Sequence, residues 1–448
     1  MKLPASPPQW TPLVSRIVES DRFERVIEES SAGPTVDGRY RHWHKLQFLA
    51  PPEGLTHEEW WVAVKLARSG GLRTVPLLDK VGRPFRYALT DDALRLARGI
   101  DVDLSGQVAL PRDAASPEQR DRYLFNSLTE EAITSSQLEG AVTTRVVAKE
   151  MLRTGRAPRD ASERMVLGNF RVMKRVRQIA DTPITPDAVL DLQRIVTEGT
   201  LPPERQGLRQ PGVEDHDVGV YSGDTLLHRP PPAGQLVERL DAMCAFANDA
   251  GDSGPFMPPV VRAIVLHFWL AYDHPFVDGN GRTARALFYW SMLRQGYWLA
   301  EYVSISRILR KAPARYGRSF LYTETDDNDL TYFVLHQLDV LTRATASLKS
   351  YLKAKGQEMR EVRMMLTPDA GLSHRQVALL THALRHPGHA YTFESHRVSH
   401  GVSLITARKD LLGLEDRGLL SSRRRRGQGR ALVFTAPADL SDRLREAG

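Results

Sequence analysis

The chain has 448 residues, with 61 Lys and Arg against 54 Asp and Glu, for a formal net charge of +7. This length favours two to four domains over one core. Hydrophobic residues at 42% and charged residues at 26% are typical of a globular protein, and no apolar run is long enough for a membrane span. The first residues lack the apolar stretch of a secretory signal, and the single cysteine, Cys244, excludes an intrachain disulfide. These features predict a cytoplasmic protein.

Residues 1–115 are predicted to form an N-terminal region of mixed structure. Thr56 and Glu59 are three positions apart and are typical of a capping box, which predicts a helix that begins between them. The segments 74–79 and 84–89 flank a turn that contains a glycine, and this pattern predicts a β-hairpin.

Residues 116–355 carry mainly helical patterns. Ser116 followed by proline predicts a helix over about 117–140. Apolar residues at helical spacing predict another helix over 258–273. A break in the helical pattern at 216–228 predicts a small β-hairpin.

Two further features mark the ends of helices in this region. His274 lies where the helix over 258–273 should end, because Pro275 interrupts it. The acidic stretch from Asp326 to Asp329 predicts the start of the last helix, since carboxylates favour a helix N-terminus.

Residues 367–440 are predicted to form a separate unit. The pattern indicates helices over 373–386, 393–400 and 403–416, and then two strands around a basic loop. Three helices followed by a hairpin are typical of a winged helix-turn-helix. The basic residues that could contact DNA there are Arg408, Lys409, Arg423, Arg424, Arg425 and Arg426. The alternative is a winged helix for protein contact, with solvated arginines.

Residues 274–285, with the sequence HPFVDGNGRTAR, combine the groups that nucleotide transfer requires. Gly279 and Gly281 allow a sharp turn and a close backbone approach at the start of a helix, where phosphate is favoured. Arg282 and Arg285 are three apart on one helical face, so both can reach a phosphate chain.

The same run supplies a metal ligand and a base. Asp278 offers a hard oxygen ligand for Mg²⁺, and His274 can accept a proton near neutral pH. Each feature alone is commonly structural: a histidine at a helix end, a glycine turn, or a solvated arginine pair. Their occurrence in one run of twelve residues favours one shared ligand, a nucleoside triphosphate. The chain has no Walker A sequence, so a standard P-loop is excluded.

This run matches in full the motif His-Pro-Phe-x-(Asp/Glu)-Gly-Asn-Gly-Arg-x-x-Arg, and the chain therefore resembles the Fic (Fido) family. The resemblance implies a mainly α fold, with a Fic-type helical core and a β-hairpin flap, in addition to the C-terminal winged helix-turn-helix. It also implies transfer of AMP from ATP to a hydroxyl side chain of a target protein, in the presence of Mg²⁺.

The resemblance also assigns residues of the motif to roles. His274 would be the general base, and Asp278 would hold Mg²⁺. Asn280, with the amides of Gly279 and Gly281, would hold the region of the α-phosphate. Arg282 and Arg285 would bind the β- and γ-phosphates. The hairpin at 216–228 would be the flap that binds the target by strand pairing, and its residues are Val218, Gly219, Val220, Leu226 and Leu227.

An upstream segment resembles the family's inhibitory motif, (Ser/Thr)-x-x-x-Glu-(Gly/Asn). Here its residues are Ser135, Glu139 and Gly140, and the resemblance implies that Glu139 pairs with Arg285 and blocks productive ATP binding. Glu139 is also predicted to lie at a helix C-terminus, where the dipole disfavours a carboxylate, so a cationic partner is expected.

Two other functions remain open from the sequence. One is a DNA-binding transcriptional regulator whose Fic core senses nucleotide. The other is a bifunctional enzyme that also removes AMP from its target, which could be the chain itself. A homodimer is compatible with the resemblance.

Overall fold

The structure is a computed structural model that describes residues 2–105, 117–212, 218–249, 255–364, 371–424 and 432–446. The N-terminal elements are α1 (Trp10–Val18), α2 (Phe23–Ser30), α3 (Trp43–Leu46), α4 (His57–Ser69), β1 (Leu72–Leu78), β2 (Pro84–Ala88) and α5 (Asp91–Leu104). Thr56 and Glu59 form the predicted capping box at the start of α4. The hairpin is also confirmed, since β1 and β2 pair antiparallel with Leu72 opposite Ala88.

The central elements are α6 (Pro117–Leu138), α7 (Arg145–Thr154), α8 (Ala161–Gln178), α9 (Pro186–Thr197), β3 (Val220–Ser222), β4 (Thr225–His228), α10 (Leu236–Asn248), α11 (Pro259–Asp273), α12 (Asn280–Arg294), α13 (Ile305–Leu309), α14 (Pro313–Thr325) and α15 (Thr331–Met364). The predicted cap Ser116 lies outside the described residues. The mainly α fold with a β-hairpin between helices is confirmed.

One large hydrophobic core surrounds α11 and α12, whose residues are nearly all buried. This core does not stop at the predicted boundary near residue 115. Phe85 of β2 and Ile100 of α5 pack in the same cluster as Val265 and Leu287. The hairpin and α5 therefore support the helices that carry the nucleotide motif.

The predicted acidic start of the last central helix is wrong. Helix α15 begins at Thr331 and has no carboxylate in its first turn. Asp327 and Asn328 adopt left-handed backbone angles, which a helix excludes. Asp326 instead accepts a hydrogen bond of 2.6 Å from Lys65 Nζ on α4. The acidic stretch thus neutralises a largely buried cation of the N-terminal region, which local sequence patterns do not reveal.

The C-terminal elements are α16 (His374–Arg385), α17 (Phe393–His400), α18 (Leu404–Asp416), β5 (Ser421–Arg424), β6 (Leu432–Thr435) and α19 (Leu440–Glu446). The order of three helices and a hairpin agrees with the prediction, whereas α19 was not expected. This C-terminal unit has its own small core, which includes Leu411 and Phe434. Helices α16 and α17 pack against α6 and α7.

None of the described helices combines the length and the apolar character that a membrane crossing needs.

Candidate active site

His274 ends helix α11 in a left-handed conformation, with φ 44° and ψ 53°. Its N–H still bonds to the Leu270 carbonyl at 3.0 Å, and the chain then turns away into the motif loop. Burial, and to a smaller extent the charge of the neighbouring His228, lower the pKa of the His274 imidazole to about 4. The imidazole is therefore neutral at physiological pH, the state that can accept a proton.

Asn280 closes the loop that follows His274. Its side-chain oxygen accepts from the Phe276 N–H at 3.0 Å, and its side-chain nitrogen donates to the Phe276 carbonyl at 2.8 Å. The side chain predicted to hold a phosphate thus holds the loop. The backbone N–H groups of Asn280 and Gly281 lie in the first turn of α12, where they lack an intrahelical acceptor.

Asp278 and Arg282 form an ion pair at the start of α12. Arg282 Nη2 lies 2.9 Å from Asp278 Oδ2, and Arg282 Nη1 donates to the Val196 carbonyl. Arg282 is 1% exposed, so the alternative of a solvated arginine pair is excluded for this residue. The Asp278 side chain remains 47% exposed and can still reach a ligand.

Arg285 is buried and is bound by the end of helix α6. Its Nε donates to Ser135 Oγ at 2.9 Å, and its Nη2 donates to the Ser135 carbonyl at 3.2 Å. The same Nη2 lies 2.9 Å from Glu139 Oε1. The structure therefore brings together the two segments that the sequence connected, which lie 146 positions apart.

The position of Glu139 depends on two glycines. Gly140 has a φ of 94° and ends the turn that follows α6. A Cβ atom on Gly281 would collide with the Glu139 carboxylate, so only glycine lets this side chain reach the first turn of α12. The carboxylate thus lies at a helix N-terminus, where an anion is stabilised.

The predicted flap is the hairpin of β3 and β4. Its strands pair antiparallel, with Tyr221 opposite Leu226, and its predicted residues are all partly exposed. Strand β4 ends at His228, whose Nε2 lies 2.7 Å from the Tyr272 carbonyl. The flap is therefore anchored two residues before His274. Residues 213–217, where the prediction placed the start of the hairpin, lie outside the described residues.

Two residues that the sequence analysis missed hold the loop in place. Gln193 of α9 donates to the Asp278 carbonyl at 3.2 Å and accepts from the Gly207 N–H at 3.1 Å. Arg209 donates through its Nε to the His274 carbonyl at 3.1 Å. Gln193 could have been found, because it is a polar residue among the buried apolar positions of α9. Arg209 lies in an irregular segment and gave no such signal.

The comparisons with known proteins agree with this geometry. Residues 183–292 match the family model described as Fic/DOC family. The chain is 27% identical over 229 residues to "Protein adenylyltransferase fic-1" of Caenorhabditis briggsae, which covers 50% of this chain and 40% of that protein. It is 33% identical over 134 residues to "Protein adenylyltransferase Fic" of Drosophila ananassae, or 30% of this chain and 24% of that protein. The chain thus spans less than half the length of these curated relatives.

A solved structure shows a similar fold over a larger part of the chain than the family model covers. The chain superposes on a Fic family protein from Desulfovibrio desulfuricans with a TM-score of 0.50 and 18% identity, over 79% of this chain and 98% of that one. This match reaches well beyond the motif and concerns the fold alone. Residues 183–292 therefore form a domain that matches the Fic/DOC family, and this domain contains the nucleotide motif.

Proposed function

We propose that this protein transfers AMP from ATP to a hydroxyl side chain of a target protein, and that Glu139 holds the activity low. One observation carries the proposal. The Glu139 carboxylate is bonded to Arg285 at the N-terminus of α12, the place where a phosphate group is expected. An internal anion at that place would compete with the triphosphate for the same cation.

The transfer step is a displacement at phosphorus. The target hydroxyl oxygen attacks the α-phosphorus of ATP and forms a new ester bond. The bond from that phosphorus to the bridging oxygen of the β-phosphate breaks, and pyrophosphate leaves with the electron pair. The hydroxyl proton passes to His274, whose lowered pKa leaves the imidazole free to receive it.

The residues of α12 would bind the rest of the nucleotide. Arg285 would exchange Glu139 for the γ-phosphate, since both anions fit a guanidinium. The N–H groups of Asn280 and Gly281 would face the phosphates nearer the α-position. Arg282 is already bonded to Asp278 and Val196, so we expect it to support the loop and add positive charge rather than move.

Asp278 is the residue that would hold Mg²⁺. Its partly exposed carboxylate fits a cation that takes one protein carboxylate, retained waters and substrate phosphates. When bound, Mg²⁺ would neutralise phosphate charge during the transfer. The cytoplasm, where ATP is abundant, is the compartment that we propose for this activity.

The hairpin of β3 and β4 would position the target. A two-stranded sheet leaves an open edge to which an extended peptide can add. Because His228 anchors the hairpin beside Tyr272, a hydroxyl on such a peptide would be held near His274.

The test is incorporation of label from ATP labelled at the α-phosphate, by wild type, Glu139→Gly, and Glu139→Gly combined with His274→Ala. We expect weak labelling by wild type and strong labelling by Glu139→Gly. The double variant should lose activity by roughly 100-fold or more, the usual contribution of a general base. CTP, GTP and UTP labelled in the same way would identify the preferred base.

A matched control separates charge from chain flexibility. Glu139→Gln keeps the side chain but removes its charge, whereas Glu198→Gln does the same at an exposed ion pair with Arg171. Only the first should raise labelling. Equal labelling by wild type, Glu139→Gly and the double variant would contradict the proposal.

A further inference from the structure

The positive charge of the chain is concentrated in the C-terminal unit. Residues 371–448 contain thirteen Lys and Arg against seven Asp and Glu, a net charge of +6. Residues 1–370 contain forty-eight against forty-seven, a net charge of +1. Almost the whole excess charge therefore belongs to a unit of fewer than eighty residues, which indicates a polyanionic partner for that unit.

Several carboxylates of the unit are already neutralised internally. Asp410 is buried and bonds to Arg375 Nε at 2.6 Å and to His396 Nε2 at 3.1 Å. Glu394 pairs with a neighbour on α17, and Asp439 pairs with a neighbour near α19. Arg408, Lys409 and Arg423, in contrast, form no ion pair with any residue in the described part of the chain. These three unpaired cations of the described residues lie on α18 and β5.

Helix α18 presents one face outward. Leu404, Ile405, Arg408 and Lys409 follow each other at helical spacing and are all exposed, and Ile405 is 81% exposed. The opposite face, with Leu411 and Leu414, packs in the core of the unit. Among the described elements, α16 and α17 make the contacts with α6 and α7, whereas α18 packs mainly against α16 and α17.

The elements around α18 follow the order of a helix-turn-helix with a β-hairpin wing. The Gly401 turn and the Ser403 cap join α17 to α18, and the hairpin of β5 and β6 follows directly. In a helix-turn-helix arrangement, the second helix enters the major groove and its N-terminal residues meet base edges. A basic hairpin beside it reaches the phosphate backbone.

We infer that the C-terminal unit, described over residues 371–424 and 432–446, is a winged helix-turn-helix that binds duplex DNA. Helix α18 lies in the major groove, where Arg408 and Lys409 contact bases or phosphates. Leu404 and Ile405 supply apolar contacts of the kind that recognise the methyl group of thymine. Arg423 on β5 contacts a phosphate. This inference is independent of AMP transfer, because it uses no residue of the nucleotide motif.

The test is fluorescence anisotropy of a labelled 30-base-pair DNA duplex pool, titrated with the full chain at several salt concentrations. We expect the logarithm of the binding constant to fall linearly with the logarithm of salt concentration, as phosphate contacts require. The variant Arg408→Ala/Lys409→Ala should weaken binding by about 10-fold or more, the effect of losing direct base or phosphate contacts. Repeated selection from the pool should enrich a sequence motif.

A matched control tests whether DNA binds at α18. Arg95→Ala/Arg98→Ala removes the same charge from the exposed face of α5, at the other end of the chain. We expect that variant to bind DNA like wild type. Equal weakening by both double variants would overturn the inference, because net charge alone would then explain binding.

Competitors test the nature of the partner. Duplex RNA of the same sequence and poly-glutamate should each compete more weakly than the DNA duplex. Equal competition by poly-glutamate would overturn the inference in favour of an acidic protein, and stronger competition by RNA would overturn it in favour of RNA. Circular dichroism of each variant confirms that a loss of binding is not a loss of folding.

Discussion

The arginines of the nucleotide motif and those of the C-terminal unit have opposite surroundings. Arg282 and Arg285 are nearly inaccessible to solvent, and each is bonded to a carboxylate of the chain. Arg408 and Arg423 are exposed and form no ion pair among the described residues. A buried guanidinium must be neutralised by the protein itself until a ligand replaces the partner, whereas an exposed one is neutralised by solvent ions.

A second contrast separates a permanent ion pair from a releasable one. Asp410 bonds to Arg375 and His396, and its side chain is 6% exposed. Among the described residues, the Glu139 carboxylate bonds only to Arg285, and this side chain is 33% exposed. The arginine is 17% exposed in the first pair and 2% exposed in the second, but only in the second is the acid itself open to water. Exposure of the acid therefore distinguishes a switch from a structural contact.

The largest effect is expected from Arg285→Ala in the Glu139→Gly background. If Arg285 binds the γ-phosphate, its loss should lower the labelling rate by about 1000-fold, the usual range for an arginine that stabilises phosphoryl transfer. The measurement is the initial rate of α-phosphate label incorporation. Arg408→Ala in the same background should leave the rate unchanged, and a comparable loss there would remove the distinction between the two groups of arginines.

The next effect concerns the stability of the C-terminal unit. Asp410→Asn removes a buried carboxylate that bonds to both Arg375 and His396, so the free energy of unfolding of the unit should fall by about 3 kcal/mol. Hydrogen exchange of the α16 and α18 amides measures this change. As a control, Asp439→Asn breaks an exposed pair and should lower stability by about 0.5 kcal/mol. Equal losses would mean that Asp410 is no more important than a surface ion pair.

Asp410 also predicts that the C-terminal unit loses stability at acid pH. Burial opposes ionisation of Asp410, but hydrogen bonds from His396 and Arg375 outweigh it and lower its pKa to about 2. A lowered pKa stabilises the fold above the unfolded value of about 3.9, and this contribution is lost as the pH falls toward 2. Exchange protection of α18 in wild type should therefore decrease between pH 4 and 2, and less so in Asp410→Asn.

Much of this site could be predicted because its signals are local. The motif at 274–285 lies in one run, the Thr56 cap and the hairpins depend on neighbours, and Glu139 next to a glycine marks a helix end. Contacts between segments that are distant in the sequence could not be predicted from local patterns. The local pattern places the carboxylate of Asp326 at a helix start, whereas in the structure it neutralises Lys65 of another region. Arg209 has no periodic pattern, so its bond to the His274 carbonyl required the folded chain.

A smaller effect is expected at Ser135. Ser135→Ala removes the acceptor of Arg285 Nε and leaves the Glu139 contact held by fewer bonds. One hydrogen bond contributes about 1 kcal/mol, so wild-type labelling should rise roughly 5-fold. The same change in Glu139→Gly should have little effect, because the inhibitory contact is already absent. A comparable rise in both backgrounds would show that Ser135 acts on Arg285 without Glu139.

The smallest effect is the pH dependence near neutrality. The burial that keeps the motif arginines from solvent also lowers the pKa of His274 to about 4. Since the neutral imidazole is the base, the labelling rate of Glu139→Gly at saturating ATP and Mg²⁺ should stay constant from pH 8 down to about 5 and then fall. An ordinary histidine would halve the rate near pH 6.5.

Because the neighbouring His228 also lowers the pKa of His274, His228→Gln should move the acid limb to higher pH. An acid limb near pH 6.5 in Glu139→Gly would mean that the site opens to solvent once Glu139 is removed, and that the burial contrast between the two groups of arginines belongs only to the inhibited state.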